Sequence, residues 1–471
     1  MRVSDLISMG LDWLIYGTVL ALIFGVLFLI GYRLFYKKVL KGKKTLTLPK
    51  ILLYAMFFCY IIMVLGVTLL NRYGYQTEMF RLTPFYSYIE AWNQYKDADW
   101  RNIILNIFML VPFGILLPYI RDLFKKIGWT ALAGVVFTLF IECTQLILKR
   151  GIFETDDLIN NTLGVLIGYG FYRLAEYIKA RIRKEPVKLA AVLPYQIPLL
   201  VAAVAFTGIF TAHDMKELGN LRCHHIIKAH PESVTCNTDF DENTENAYVY
   251  TVPIISVEET REFADGFFAR FDSGIDENRT DIYDESVFYW NDNPDNTISL
   301  RIDYEGNKIS YTNFQISFLD SSTVPDENAD ETELRTAIEA LGFMVPEDCT
   351  FINKGYGNYL FRADCVIVGD YVYDGYINCN VAEGGRIKNL DYNLIKCSAY
   401  KEFPIISEEE AYERIAAGIF RYEPAFEPRN IIVNDIFLAY EVDSKGFYQP
   451  IYILECNIDG QDTRLYTPAI R

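Results

Sequence analysis

The sequence predicts an α-helical polytopic membrane bundle of about six helices, joined to an extracytoplasmic α+β domain built on antiparallel sheets. Three observations predict it. Six long apolar stretches fill the first 212 residues. The loops between them alternate in charge. The rest of the 471-residue chain is acidic and broken into short alternating runs.

The apolar stretches are Leu11–Tyr32, Ile51–Leu70, Asn102–Ile120, Gly128–Leu148, Asp157–Ile178 and Leu189–Phe210. Each has the length needed to cross ~30 Å of hydrocarbon at about 1.5 Å per residue. Only a helix or a closed barrel satisfies its own backbone in lipid, and runs this continuous are helical. The first stretch has no small-residue cleavage pattern after it, so it reads as a helix and not as a signal peptide.

Loop charge sets the orientation. The first connection carries Arg33, Lys37, Lys38, Lys41, Lys43, Lys44 and Lys50. The third carries Arg121, Lys125 and Lys126, and the fifth Lys179, Arg181, Arg183, Lys184 and Lys188. The second and fourth mix both signs. Basic loops stay cytoplasmic, so both chain ends are expected outside the cell.

The net charge of -17 and the 51% hydrophobic content describe neither half. Residues 1–212 carry a net of roughly +10 and residues 213–471 a net of roughly -27, by counting charges in the sequence. An acidic surface of that size excludes binding to nucleic acid through its phosphates. The expected division is a transmembrane domain over 1–212, a juxtamembrane linker over 213–250 and an acidic extracytoplasmic domain over 251–471.

Polar side chains gather at the outer ends of three helices, where burial makes them costly. Glu142 and Gln145 are three apart on the fourth helix and share a face. Asp157 and Asn161 are four apart on the fifth and share one too. Asp156 and Asp157 sit at that helix's N-terminus, where the dipole favours carboxylates. Arg150 lies in the short loop between these antiparallel neighbours, and Asn106 adds an amide from the third helix. Pro112 should kink that third helix. Arg81-Leu82-Thr83-Pro84-Phe85 in the second loop is placed to cover the cluster. The plainer alternative is that Asp156 and Asp157 cap a helix and Glu142 pairs with Arg150.

Leu82-Thr83-Pro84-Phe85, then Asn106 through Pro112-Phe113-Gly114, then Glu142-x-x-Gln145 with Arg150, Asp156-Asp157, Asn161-Thr162 and Gly164 together resemble the VanZ-like family of bacterial membrane proteins. The resemblance covers roughly residues 50–180. It implies a bacterial cell-membrane protein whose founding relatives give low-level resistance to the glycopeptide teicoplanin. It brings no settled reaction.

In the acidic half, Pro253-Ile254-Ile255-Ser256-Val257-Glu258-Glu259 matches Pro404-Ile405-Ile406-Ser407-Glu408-Glu409-Glu410, as an internal repeat would. Each Ser-x-x-Glu is a capping box opening an amphipathic helix. A third helix is expected over Thr332–Leu341. Val366–Tyr373, Ile377–Ile395 and Ile432–Ile458 read as hairpins. The Ser-Glu-Glu-Glu-Ala helix followed by a hairpin with Gln449-Pro450-Ile451-Tyr452 resembles the PepSY-like and YycI-like extracytoplasmic modules, which implies binding or regulation.

All four histidines fall close together, and Cys223, His224, His225, His230 and Cys236 have ligand types that can hold zinc, in a spacing that matches no zinc module. The alternative is a linker closed by a Cys223–Cys236 disulfide. With Cys349, Cys365, Cys379, Cys397 and Cys456 the outer cysteines number seven, so one at least would stay free. Cys59 and Cys143 read as apolar fillers.

No Ser-His-Asp order, phosphate loop or His-Glu-x-x-His run occurs in a fitting context, and no cofactor is expected. The expected partners are the bilayer and a lipid-linked wall precursor or glycopeptide, bound or shielded at the outer leaflet. Two alternatives stay open: an intramembrane enzyme using Glu142, Asp156 and Asp157 on such a precursor, with a divalent cation or as acid and base, and an envelope sensor using the outer domain.

Overall fold

The computed structural model describes residues 47–70, 80–241, 246–316, 324–368, 371–422 and 427–471, with a few positions before residue 47. The first expected helix, Leu11–Tyr32, and most of the basic loop after it lie outside the described residues. The chain forms two units. One is helical and comprises residues 1–217 together with 224–230 and 420–428; the other takes the remainder.

In the helical unit, α1 (Leu48–Leu65) runs on as a π-turn over Gly66–Leu70. A two-residue strand β1 (Phe80–Arg81) leads to α2 (Tyr86–Gln94). Then come α3 (Asp97–Met109), α4 (Val111–Ile120) and α5 (Ile127–Ile147). A second short strand, β2 (Phe153–Glu154), opens α6 (Thr155–Ile182), and α7 (Ile197–Asp214) follows.

Four described segments are long and apolar enough to cross a membrane: Leu48–Leu69, Asp97–Ile120, Ile127–Ile147 and Leu193–Asp214. At 28 residues α6 has the length, but Asn160, Asn161 and Arg173 interrupt its apolar run. The expected kink at Pro112 is a break: α3 ends and α4 begins at Leu110, whose φ of -99° and ψ of 6° leave the helical region. A proline cannot supply the next N–H. Beside the break, the Met109 carbonyl accepts from the Tyr60 hydroxyl at 2.8 Å.

The break lets α3 and α4 both lie against α6 at backbone contact. A Cβ added at Gly164 would stand 2.0 Å from the Ile107 carbonyl oxygen, and one at Gly168 2.1 Å from that of Val111. Small residues four apart allow such approach between membrane helices, where packing and not water exclusion drives association.

In the other unit, α8 (Val257–Phe268), α9 (Glu331–Ala340) and α10 (Glu408–Ala416) accompany one 13-stranded sheet. Its spine runs in the order β3 (Ser233–Cys236), β13 (Asn430–Val442), β14 (Phe447–Ile458), β4 (Asn246–Thr251), β12 (Arg386–Pro404), β8 (Ile309–Asn313), β7 (Ile298–Asp303), β6 (Ser286–Trp290) and β5 (Asp281–Ile282). β15 (Gln461–Pro468) pairs with β14, while β11 (Tyr371–Ala382), β10 (Asn358–Val368) and β9 (Thr350–Gly355) continue from β12. All of these pairs are antiparallel except β3 with β13.

Alternation decides the core. Ile298, Leu300 and Ile302 of β7 point inward with Phe267 and Phe268 of α8 and Leu334 and Ile338 of α9. Both capping boxes form: Glu259 and Glu410 bond back to the N–H groups of Ser256 and Ser407. Ser407→Ala should therefore lower the unfolding free energy of this unit by about 1 kcal/mol. Chemical denaturation followed by near-UV CD checks it; an unchanged midpoint would mean the cap is redundant.

Candidate functional site

The site is built where β1 and β2 pair in parallel, Phe80 beside Phe153 and Arg81 beside Glu154. This pairing brings the segment before α2 against the short loop between α5 and α6. Arg81 Nη1 reaches Glu154 Oε1 at 3.0 Å, and the Thr155 hydroxyl donates to the Leu82 carbonyl at 3.1 Å. The second-loop cover expected from Arg81 to Phe85 thus rests on the first turn of α6.

The register of α5 against α6 follows from one contact. A Cβ at Gly134 would meet the Val165 side chain at 2.7 Å. Two turns toward the C-terminus of α5, along antiparallel helices, Glu142 comes level with Asp157; one turn along, Thr138 comes level with Asn161. Glu142, Gln145, Asp156 and Asn161 are all buried.

Each expected residue has a definite place. The Asn106 amide donates to Asp157 Oδ1, joining α3 to α6. Glu142 Oε2 faces the backbone N–H of Glu154 at 3.4 Å. Gln145 Nε2 donates to the Thr68 carbonyl at 2.9 Å, and Arg150 Nη1 to that of Leu69 at 2.9 Å. Those carbonyls belong to the π-turn ending α1, where the regular helical partners are displaced. Asp156 turns away from Asp157. It accepts from the N–H of Phe85, and from the N–H and hydroxyl of Ser87 at 2.8 and 2.6 Å. Among the described residues the Oδ1 of Asn161, the Oε1 of Gln145 and the Oγ1 of Thr138 are buried with no hydrogen-bond partner.

Residues 51–176 match the VanZ/LLP1 family model.

Every member of the polar cluster lies within that VanZ-like segment. The protein VanZ of Enterococcus faecium is 28% identical over 117 residues, which is 24% of this chain and 65% of that relative. About a third of the relative thus has no counterpart in the match. The solved C-terminal domain of Bacillus megaterium YpeB is similar at 11% identity over 46% of this chain and 94% of its own, with a TM-score of 0.24, too low to establish a common fold.

Several polar residues of the VanZ-like segment have no counterpart in the motif reading. The Tyr88 hydroxyl donates to Asn160, and burial, then the charge of Asp156, pushes the Tyr88 phenol up to about 12. It therefore stays a donor across the physiological range. Asn160 is nearly inaccessible, which only the fold reveals, since its partner lies 72 residues away.

The five residues with zinc-ligand character do not come together. Cys223 packs with Leu221 and Ile451, and burial first, then Glu441, raises its thiol well above the usual range. Among the described residues no three His, Cys, Asp or Glu side chains are grouped to hold a metal ion. The alternative disulfide is not formed either: all nine cysteines are free thiols.

Proposed function

We propose that this VanZ-like protein engages a lipid-linked envelope component, or the lipid-bearing part of a glycopeptide, at the outer leaflet of a bacterial cell membrane. On this reading the sheet unit is extracytoplasmic and both chain ends lie outside. Binding would shield the component and give low-level protection against teicoplanin.

The observation that carries it is the unused hydrogen-bonding capacity of Asn161, one turn below the Asn106–Asp157 pair on the same face of α6. A buried amide oxygen without a partner costs roughly 1–3 kcal/mol. Evolution tolerates that inside a membrane helix mainly where a ligand or ordered water takes the bond. Asp157 and Glu142 at one level supply acceptors for the hydroxyl and amide donors of a wall precursor's headgroup.

The test is the teicoplanin susceptibility of a sensitive Gram-positive host expressing the wild type, Glu142→Ala or Asp157→Asn, at matched membrane levels. The wild type should raise the inhibitory concentration severalfold and both variants should lose that gain. Full protection by either variant would remove the cluster from the function. No protection by the wild type would remove teicoplanin from it.

A further inference from the structure

The helical unit takes in two segments remote from it in sequence, residues 224–230 and 420–428. Both meet α2. Asn93 Nδ2 donates to the carbonyls of His224 and His225 at 3.2 and 3.4 Å. The N–H of His230 donates to Glu427 Oε1 at 3.0 Å, tying the two segments to each other. Arg421 Nη2 donates to Glu90 Oε1 at 2.9 Å.

From Glu90 the charges continue into the site. Arg81 Nη1 stands 3.7 Å from Glu90 Oε2 and 3.0 Å from Glu154 Oε1. The Glu154 N–H in turn faces Glu142. The side chains of Arg81, Glu90, Glu154 and Arg421 are between 19% and 29% exposed, so solvent screens them only in part.

Arg81 thus lies between Glu90 and Glu154, and Arg421 brings a second guanidinium to Glu90. Without Arg421, Glu90 would draw more strongly on Arg81, against Glu154, even with the Gln94 amide donating to its Oε1 at 3.2 Å. The competition acts on the β1–β2 pair, because Arg81 and Glu154 are register partners there. That pair holds the 80–87 segment in place over Asp156.

We infer that Arg421 is a positioning residue of the candidate site, setting the closure of residues 80–90 through Glu90 and Arg81. The chain on either side of the 420–428 segment runs into α10 and β13, so the sheet unit has a covalent route to the site. The consequence for envelope binding rests on the function proposed above; the consequence for geometry does not.

The experiment is hydrogen exchange of the full chain in lipid nanodiscs, for the wild type, Arg421→Gln, Arg421→Lys and the pair Arg421→Gln with Glu90→Gln. Arg421→Gln should speed exchange over residues 80–90 roughly three- to tenfold, with residues 158–170 of α6 unchanged. Arg421→Lys should keep most of the protection. The pair should regain it, because a neutral amide at position 90 no longer draws Arg81 from Glu154, a rescue that simple loss of packing would not give. Unchanged exchange in Arg421→Gln, an equal rise throughout the chain, or a pair no better protected than Arg421→Gln alone would each overturn the inference. Teicoplanin protection measured on the same variants separates the two readings. Its absence in the wild type counts against the function alone, whereas protection with unaltered exchange counts against Arg421 alone.

Discussion

Gly168→Val should prevent the helical unit from packing, with a loss above about 3 kcal/mol, the upper end for overpacked cores. The obstruction is backbone, not side chain. A Cβ at residue 168 falls 2.1 Å from the Val111 oxygen and 3.0 Å from the Gly114 Cα. No rotamer change relieves either contact. Gly164 faces the Ile107 oxygen in the same way, and from the other side a Cβ at Gly114 would meet the Val165 oxygen at 2.1 Å. A valine would push α6 from α3 and α4 and separate Asn106 from Asp157. Gly128 and Gly208 have nothing within 4 Å of an added Cβ, so alanine at those positions should be neutral. Thermal unfolding in detergent, read beside the amount recovered from membranes, checks the contrast. Equal behaviour of Gly168→Val and Gly208→Ala would mean that the close crossing does not govern stability.

That crossing shows which parts of the fold can be read from residues alone. The break at Leu110 was legible as a consequence of Pro112, because a proline removes its own N–H wherever it stands. The Tyr60 hydroxyl that satisfies Met109 was not, since nothing local links positions 49 residues apart. Capping boxes at Ser256 and Ser407 were legible because the whole device spans four residues. The hairpin between β13 and β14 was too: Gly446 supplies the positive φ, +81°, that its turn requires. A single sheet joining all thirteen strands was not, because β4 and β8 both pair with β12 across more than 70 intervening residues.

The candidate site divides along the same line. Helical spacing put Asp157 and Asn161 on one face, and Gly134 against Val165 brings Glu142 to the level of Asp157. Arg150 is spent on the Leu69 carbonyl and does not need Glu142 as its partner. The link from Glu90 to Arg421 spans 331 residues, and periodicity carries no information over that distance.

Asp156→Ala should cost about 3 kcal/mol and release residues 82–87, because one carboxylate there holds three donors. A hydrogen bond to a buried charge contributes about 1.5–3 kcal/mol, and three that share one carboxylate do not add in full. Adjacent residues on a helix point about 100° apart. That is why Asp156 meets the cover segment while Asp157 meets Asn106. The clamp also holds a strained backbone. Phe85 sits at a φ of +65°, a left-handed conformation that costs a non-glycine residue about 1 kcal/mol, and its N–H is one of the three donors. Asp156→Asn keeps one acceptor oxygen and should lose about half as much. Phe85→Gly in the Asp156→Ala background should recover part of the loss by removing that strain. Unfolding midpoints of the four proteins in one detergent measure this order, and exchange over residues 82–87 should follow the same order. If Asp156→Ala instead left stability and exchange intact while abolishing protection, the carboxylate would be bonding to a ligand and not to Phe85 and Ser87. The polar cluster would then extend outward to the surface of α6, and the cover segment would have to open for binding.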